Sequence, residues 1–157
     1  MKARLAAAIV AGLCGAAAAE PVWPALDAAA SAVRTGDRKK ALELLAELRK
    51  RPENAERRER IALLYAEAKD YGVARSLMND LIRETPREAR LRLLLATIVA
   101  RAGDRGATLD ALAEARKLGP DAVDRRRMAF LHQDFKDYGP ARELLDGLIE
   151  KYPGDLG

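Results

Sequence analysis

Catalysis by side chains needs groups that converge, and this chain offers few. His132 is its single histidine and Cys14 its single cysteine. A zinc site draws several ligands from histidine, cysteine or carboxylate, so a lone histidine has nothing to complete one. Ser31 and Ser76 would need an adjacent base to act as nucleophiles, and neither has a histidine near it in sequence. Glu56 and Glu59 could share acid–base work, but carboxylates at that spacing are ordinary on a solvated helix. Gly103 and Gly106 are too few to cradle a phosphate and read as part of a turn. No catalytic, metal-binding or cofactor-binding residue is therefore expected, and no cofactor. His132 is expected to pack inward.

The elements that hold these residues are set by a period. Pro52, Pro86, Pro120 and Pro153 stand at intervals of 34, 34 and 33 residues. Asp37, Asp70, Asp104 and Asp137 recur at 33, 34 and 33. A fixed period of this length marks an array in which each unit is one helical hairpin. The aspartates follow Gly36, Lys69, Gly103 and Lys136. Glycine tolerates positive φ, and aspartate can cap the helix that follows it. The tyrosines after Asp70 and Asp137 are expected to pack against their hairpins.

Between these marks the apolar residues recur three and four apart, as on one stripe of a helix. Examples are Ala41, Leu42, Leu44, Leu45 and Leu48, or Ile61, Leu64, Tyr65 and Ala68, or Leu91, Leu94, Leu95, Ile98 and Val99. No long alternation suggests a strand. The pattern predicts eight helices at about 22–35, 38–50, 55–69, 71–84, 88–102, 105–118, 121–136 and 138–151. Ala62, Ala96 and Ala129 in the first helices, with Ala41, Ala74 and Ala141 in the second, would let backbones approach closely. Tyr65, Leu45, Met78 and Leu145 would fill the space around them.

These residues resemble the tetratricopeptide repeat, a 34-residue helix–turn–helix unit. The best copy is Ile61-Ala62, Tyr65, Asp70-Tyr71, Ala74, Leu81 and Pro86, and the likeness runs from about Val22 to Pro153. It departs from the family at Thr108, where alanine is usual, and at Val99 and His132, where an aromatic is usual. Repeat one is degenerate, with Ala28, Ala29 and Ala32 in place of larger residues. The resemblance implies an all-α, right-handed α-solenoid of about four hairpins, at 22–54, 55–88, 89–121 and 122–154.

It also implies a concave groove lined by the first helices, which takes a peptide or a helix of a protein partner. By that register the groove receives Arg60, Leu63, Arg90, Leu93, Leu94, Thr97, Arg101, Arg127 and Phe130, with Leu26, Arg34, Glu59, Glu67, Arg126 and Asp134 beside them. Apolar residues mixed with arginines suit a partner with acidic and apolar side chains. One subgroup of the family holds a peptide's C-terminal carboxylate with asparagines and lysines, and the asparagines are missing here.

The first 19 residues differ in composition. Lys2 and Arg4 open the chain, Leu5 to Leu13 is uncharged and apolar, and small residues follow to Ala19. This is a secretory signal pattern, with the cut expected between Ala19 and Glu20 and the domain at 20–157. The apolar run is too short to span a bilayer. Cleavage would remove the only cysteine, so no disulfide would form; lipidation of Cys14 would place Leu13 where a small residue is usual. The expected destination is the periplasm of a bacterium, in solution or beside the outer membrane. The 28 basic residues are nearly matched by 24 acidic ones and interspersed with them, so nucleic acid is not an expected partner. Arg125, Arg126 and Arg127 fall on different faces of a helix, and Trp23 is expected to cover the first hairpin.

The function expected is a non-enzymatic scaffold that mediates protein–protein interaction in the cell envelope. The alternative is a periplasmic component, or the front part, of an outer-membrane machine that exports polysaccharide or protein, with exopolysaccharide as ligand. The chain stops four residues after Pro153, so part of the stripe Leu144, Leu145, Leu148 and Ile149 is expected to lack a following repeat. That leaves open tolerance of the exposure, self-association, partner docking or continuation into a longer protein.

Overall fold

The computed structural model describes residues 22–51 and 54–151. The signal segment with Cys14, its junction at Ala19 and Glu20, Pro52, Pro153 and residues 154–157 lie outside the described residues, as does the Trp23 side chain. Eight helices are described: α1 Val22–Arg34, α2 Arg38–Arg49, α3 Ala55–Glu67, α4 Tyr71–Glu84, α5 Ala89–Arg101, α6 Arg105–Lys117, α7 Ala122–Asp134 and α8 Tyr138–Lys151. They form four antiparallel hairpins, each packed against the next.

One backbone device makes all four hairpin turns. Gly36, Lys69, Gly103 and Lys136 take positive φ, between 57° and 80°. The N–H of the aspartate that follows then donates to a carbonyl five residues back. Asp37 reaches Ala32 at 2.9 Å, Asp70 reaches Tyr65 at 2.8 Å, Asp104 reaches Val99 at 3.0 Å and Asp137 reaches His132 at 2.9 Å. The residue at positive φ donates three back in each case, which completes a Schellman motif. The first three aspartates also accept from a backbone N–H three residues on: Lys40 at 3.1 Å, Val73 at 3.3 Å and Ala107 at 2.9 Å. These bonds satisfy donors that every helix start leaves open.

The small residues sit where helices meet. Ala29, Ala62, Ala96 and Ala129 occupy one repeat position and are at most 1% exposed. Ala41, Ala74 and Ala141 are buried at another, with Thr108 at the fourth copy. The Thr108 hydroxyl is satisfied by the Asp104 carbonyl at 2.7 Å. Two apolar clusters result, and α5 belongs to both. Leu91, Leu94 and Ile98 join the cluster of the first two hairpins, whereas Leu93 and Ala96 join that of α6, α7 and α8. A helix covered on both sides reads as nearly continuous hydrophobic sequence, as Leu91 to Val99 does.

One expectation is corrected. Tyr71 packs on the core, but Tyr138 is 61% exposed. Leu144 and Leu148 are buried within the last hairpin, because α8 turns them onto α7; of the stripe only Ile149 counts among the exposed large apolar residues.

Candidate partner-binding face

The first helices of successive hairpins touch one another, α1 to α3, α3 to α5 and α5 to α7. The backbones of α2, α4, α6 and α8 stay farther apart, although Arg116 of α6 reaches Glu143 of α8 at 2.9 Å. Closer spacing on one side bends the array toward that side, so the odd-numbered helices line its concave face. The residues that reach it are those pointing away from both neighbouring helices.

Counting back from each turn aspartate identifies them. Seven residues before it stand Ala30, Leu63, Thr97 and Phe130. Ten before it stand Asp27, Arg60, Leu94 and Arg127, and three before it Arg34, Glu67, Arg101 and Asp134. Phe130 is 56% exposed, and Arg60, Arg101 and Arg127 are exposed. Leu63 is half-buried. Val123 is 68% exposed, one heptad before Phe130 and four residues before Arg127, so all three share a stripe of α7. Val123 was missed from sequence; its spacing to Phe130 was the available signal.

Several sequence candidates are removed from this face. Leu93 has no exposed surface, Leu94 is 8% exposed and Leu26 is 1% exposed. Leu93 and Leu26 stand eleven residues before their aspartates, a position that points at the adjacent odd helix rather than into the groove. Leu94 is drawn into the core of the second hairpin. The Thr97 hydroxyl donates to the Leu93 carbonyl at 2.9 Å, which occupies its polar atom.

Arg90 is already engaged. Its guanidinium grips Glu59 of α3 with both terminal nitrogens, one at 2.9 Å and the other to the second carboxylate oxygen. That bond to Glu59 is the main reason the Arg90 pKa lies above its ordinary value. A two-pronged pair between α5 and α3 fixes the spacing of adjacent first helices. Beside it, a pocket of about 250 Å³ opens between α1 and α3, with Leu26 as floor and Asp27, Glu56, Glu59, Arg60 and Leu63 as walls. The face therefore has an apolar end at Val123 and Phe130 and a mixed-charge end at Asp27, Glu56 and Arg60.

His132 is 8% exposed, at the inward place where repeat two has Tyr65. Its Nδ1 lies 3.0 Å from Asp137 Oδ2. Among the described residues no group of three or more His, Cys, Asp and Glu side chains could hold a metal ion.

The tetratricopeptide repeat family model matches residues 126–155, from within α7 through α8. The chain has the all-α fold of tetratricopeptide repeat solenoids, and its last hairpin matches that family's model. Solved structures carry the same fold across most of its length. The MamA fragment from residue 41 to the end, from Desulfovibrio magneticus RS-1, is 18% identical with a TM-score of 0.63, over 87% of this chain and 78% of that one. A MamA RS-1 ArsTM double mutant is 19% identical at 0.62, over 86% and 78%. MamA AMB-1 is 22% identical at 0.57, over 85% and 74%. No curated protein matches the sequence. In this repeat protein the four turns share one hydrogen-bond scheme, although the family model detects only the fourth hairpin.

Proposed function

We propose that this repeat protein is a non-enzymatic scaffold of the bacterial cell envelope, which holds a protein partner along its concave face. The observation that carries the reading is the α7 stripe: Val123 and Phe130 stand exposed on the concave side with Arg127 between them. A large aromatic left in water beside an arginine favours a partner that brings apolar and acidic side chains together. The envelope setting is supported by the basic, apolar and small-residue order of residues 1–19.

Photo-crosslinking tests it. A crosslinking amino acid placed at Phe130 or Val123 is expected to give one defined protein adduct in a bacterial envelope fraction. The same group at Ser76, exposed on α4, is expected to give none. Equal adducts at both faces, or none at either, would overturn the reading. Binding of an anionic glycan that weakens steeply with salt would replace the protein partner by a polymer.

A further inference from the structure

Twelve residues before the turn aspartate, three repeats carry arginine: Arg58, Arg92 and Arg125. Arg58 meets a carboxylate of its own hairpin, with Nη1 and Nη2 at 2.6 and 2.5 Å from the two oxygens of Glu84. Glu84 stands fourteen residues after Asp70, and the same place after Asp104 is Leu118. Arg92 therefore lacks the acceptor that its equivalent uses. Its Nη1 is buried and makes no hydrogen bond with any described residue. The nearby carboxylate of Glu114 is bonded to Lys117, as Asp80 is bonded to Arg83 one repeat earlier.

Arg92 borders a groove of about 260 Å³ that runs between α4 and α6 over α5. Ile82, Leu95, Val99 and Ala111 give it apolar walls. A buried charged donor without an acceptor is among the least favourable states of a polar group, and one carboxylate would relieve it through a charge-assisted bond. Asp110 and Glu114 also border the groove and would repel a ligand with several negative charges.

We propose that Arg92 anchors a second binding site, on the side of the even-numbered helices, for a segment of a partner protein bearing one carboxylate on a short aliphatic group. The site is separate from the concave face and does not rest on it. The apolar walls take the aliphatic part, and Arg92 replaces the missing Glu84 equivalent with a carboxylate from outside.

The probe is isovalerate, with isovaleramide as its neutral counterpart, titrated into the isotope-labelled chain at fixed ionic strength. Isovalerate is expected to shift the amide resonances of Leu95, Val99 and Ala111 saturably, and isovaleramide to leave them unmoved. Arg92→Met is expected to abolish the shifts. So is Leu118→Glu, which keeps Arg92 but supplies from within the carboxylate that Glu84 gives Arg58. Equal shifts with the amide would overturn the proposal, and so would shifts that survive Leu118→Glu. An absence of any shift would overturn it as well, since Arg92 would then be satisfied by turning onto Asp110 or Glu114.

Discussion

Asp137 bonds the ring of His132 at 3.0 Å instead of capping the helix it precedes. The reason is Pro140. Asp37, Asp70 and Asp104 each accept from the backbone N–H three residues on. Three residues after Asp137 the chain has proline, which carries no N–H. The carboxylate turns instead to the imidazole buried behind it. Proline is tolerated there because the first N–H groups of a helix have no intrahelical partner. A double-mutant cycle between His132→Phe and Asp137→Asn is expected to give a coupling of about 0.5–1.5 kcal/mol. In a Pro140→Ala background, where Asp137 regains a backbone donor, the coupling should fall toward zero. Chemical denaturation of the eight proteins, wild type included, measures both.

The two lysines at positive φ carry strain that glycine would not. A side chain in the left-handed region is disfavoured by roughly 1–2 kcal/mol. Lys69→Gly is therefore expected to stabilise the protein by about 1 kcal/mol, part of the gain being offset by glycine's larger backbone entropy. Gly103→Ala should destabilise by a similar amount, about 1 kcal/mol. A methyl group there would meet nothing within 4 Å, so the loss would come from φ alone. Denaturation midpoints of the two variants should move in opposite directions.

Ala74 has no exposed surface and stands at the position filled by Ala41, Thr108 and Ala141 in the other repeats. Ala74→Leu is expected to overpack that contact and destabilise by about 1–3 kcal/mol. Ala113, exposed on α6, serves as the control, and Ala113→Leu should shift the thermal midpoint little.

The Arg58–Glu84 pair gives stability a pH dependence of known sign. The hydrogen bond from Arg58 holds the Glu84 pKa below its ordinary 4.5. A depressed carboxylate pKa contributes stability that is present above 4.5 and lost as pH falls through the lower folded value. Wild type should thus melt above Glu84→Gln at pH 6, and the gap should close on acidification below 4.5. High salt should narrow the gap too, because Glu84 is solvent-exposed. A gap that is constant from pH 6 to pH 3 would show the pair to be without effect.

Much of the fold was legible because it repeats. The aspartate and proline periods placed all eight helices to within a few residues, as the observed ends of α4 at Glu84 and α8 at Lys151 illustrate. The inward places of Tyr65, Val99 and His132 followed from the same register. The binding face was less legible. Leu94 takes the place of Arg60 one repeat earlier, yet Leu94 is buried and Arg60 is exposed. Helical periodicity reports which side of one helix is apolar, but not how far the next hairpin covers it. Tyr138 was misplaced for the same reason: it repeats Tyr71, which has a neighbouring core to lean on, while Tyr138 stands in water.

The sequence by itself determined the architecture, because local rules act within a single repeat: a positive-φ residue, a capping aspartate, a small residue at each helix contact and an apolar stripe at helical spacing. Only the tertiary structure decided which charges are matched and which apolar groups stay in water. Arg58 and Arg92 hold the same place in successive repeats, and they differ because Glu84 reaches Arg58 whereas the matching place after Asp104 holds Leu118, which has no carboxylate. Phe130 and Leu63 also share a place, and they differ in what the neighbouring helices cover. Pairing and burial depend on groups brought together from separate helices, and no period within one helix encodes them.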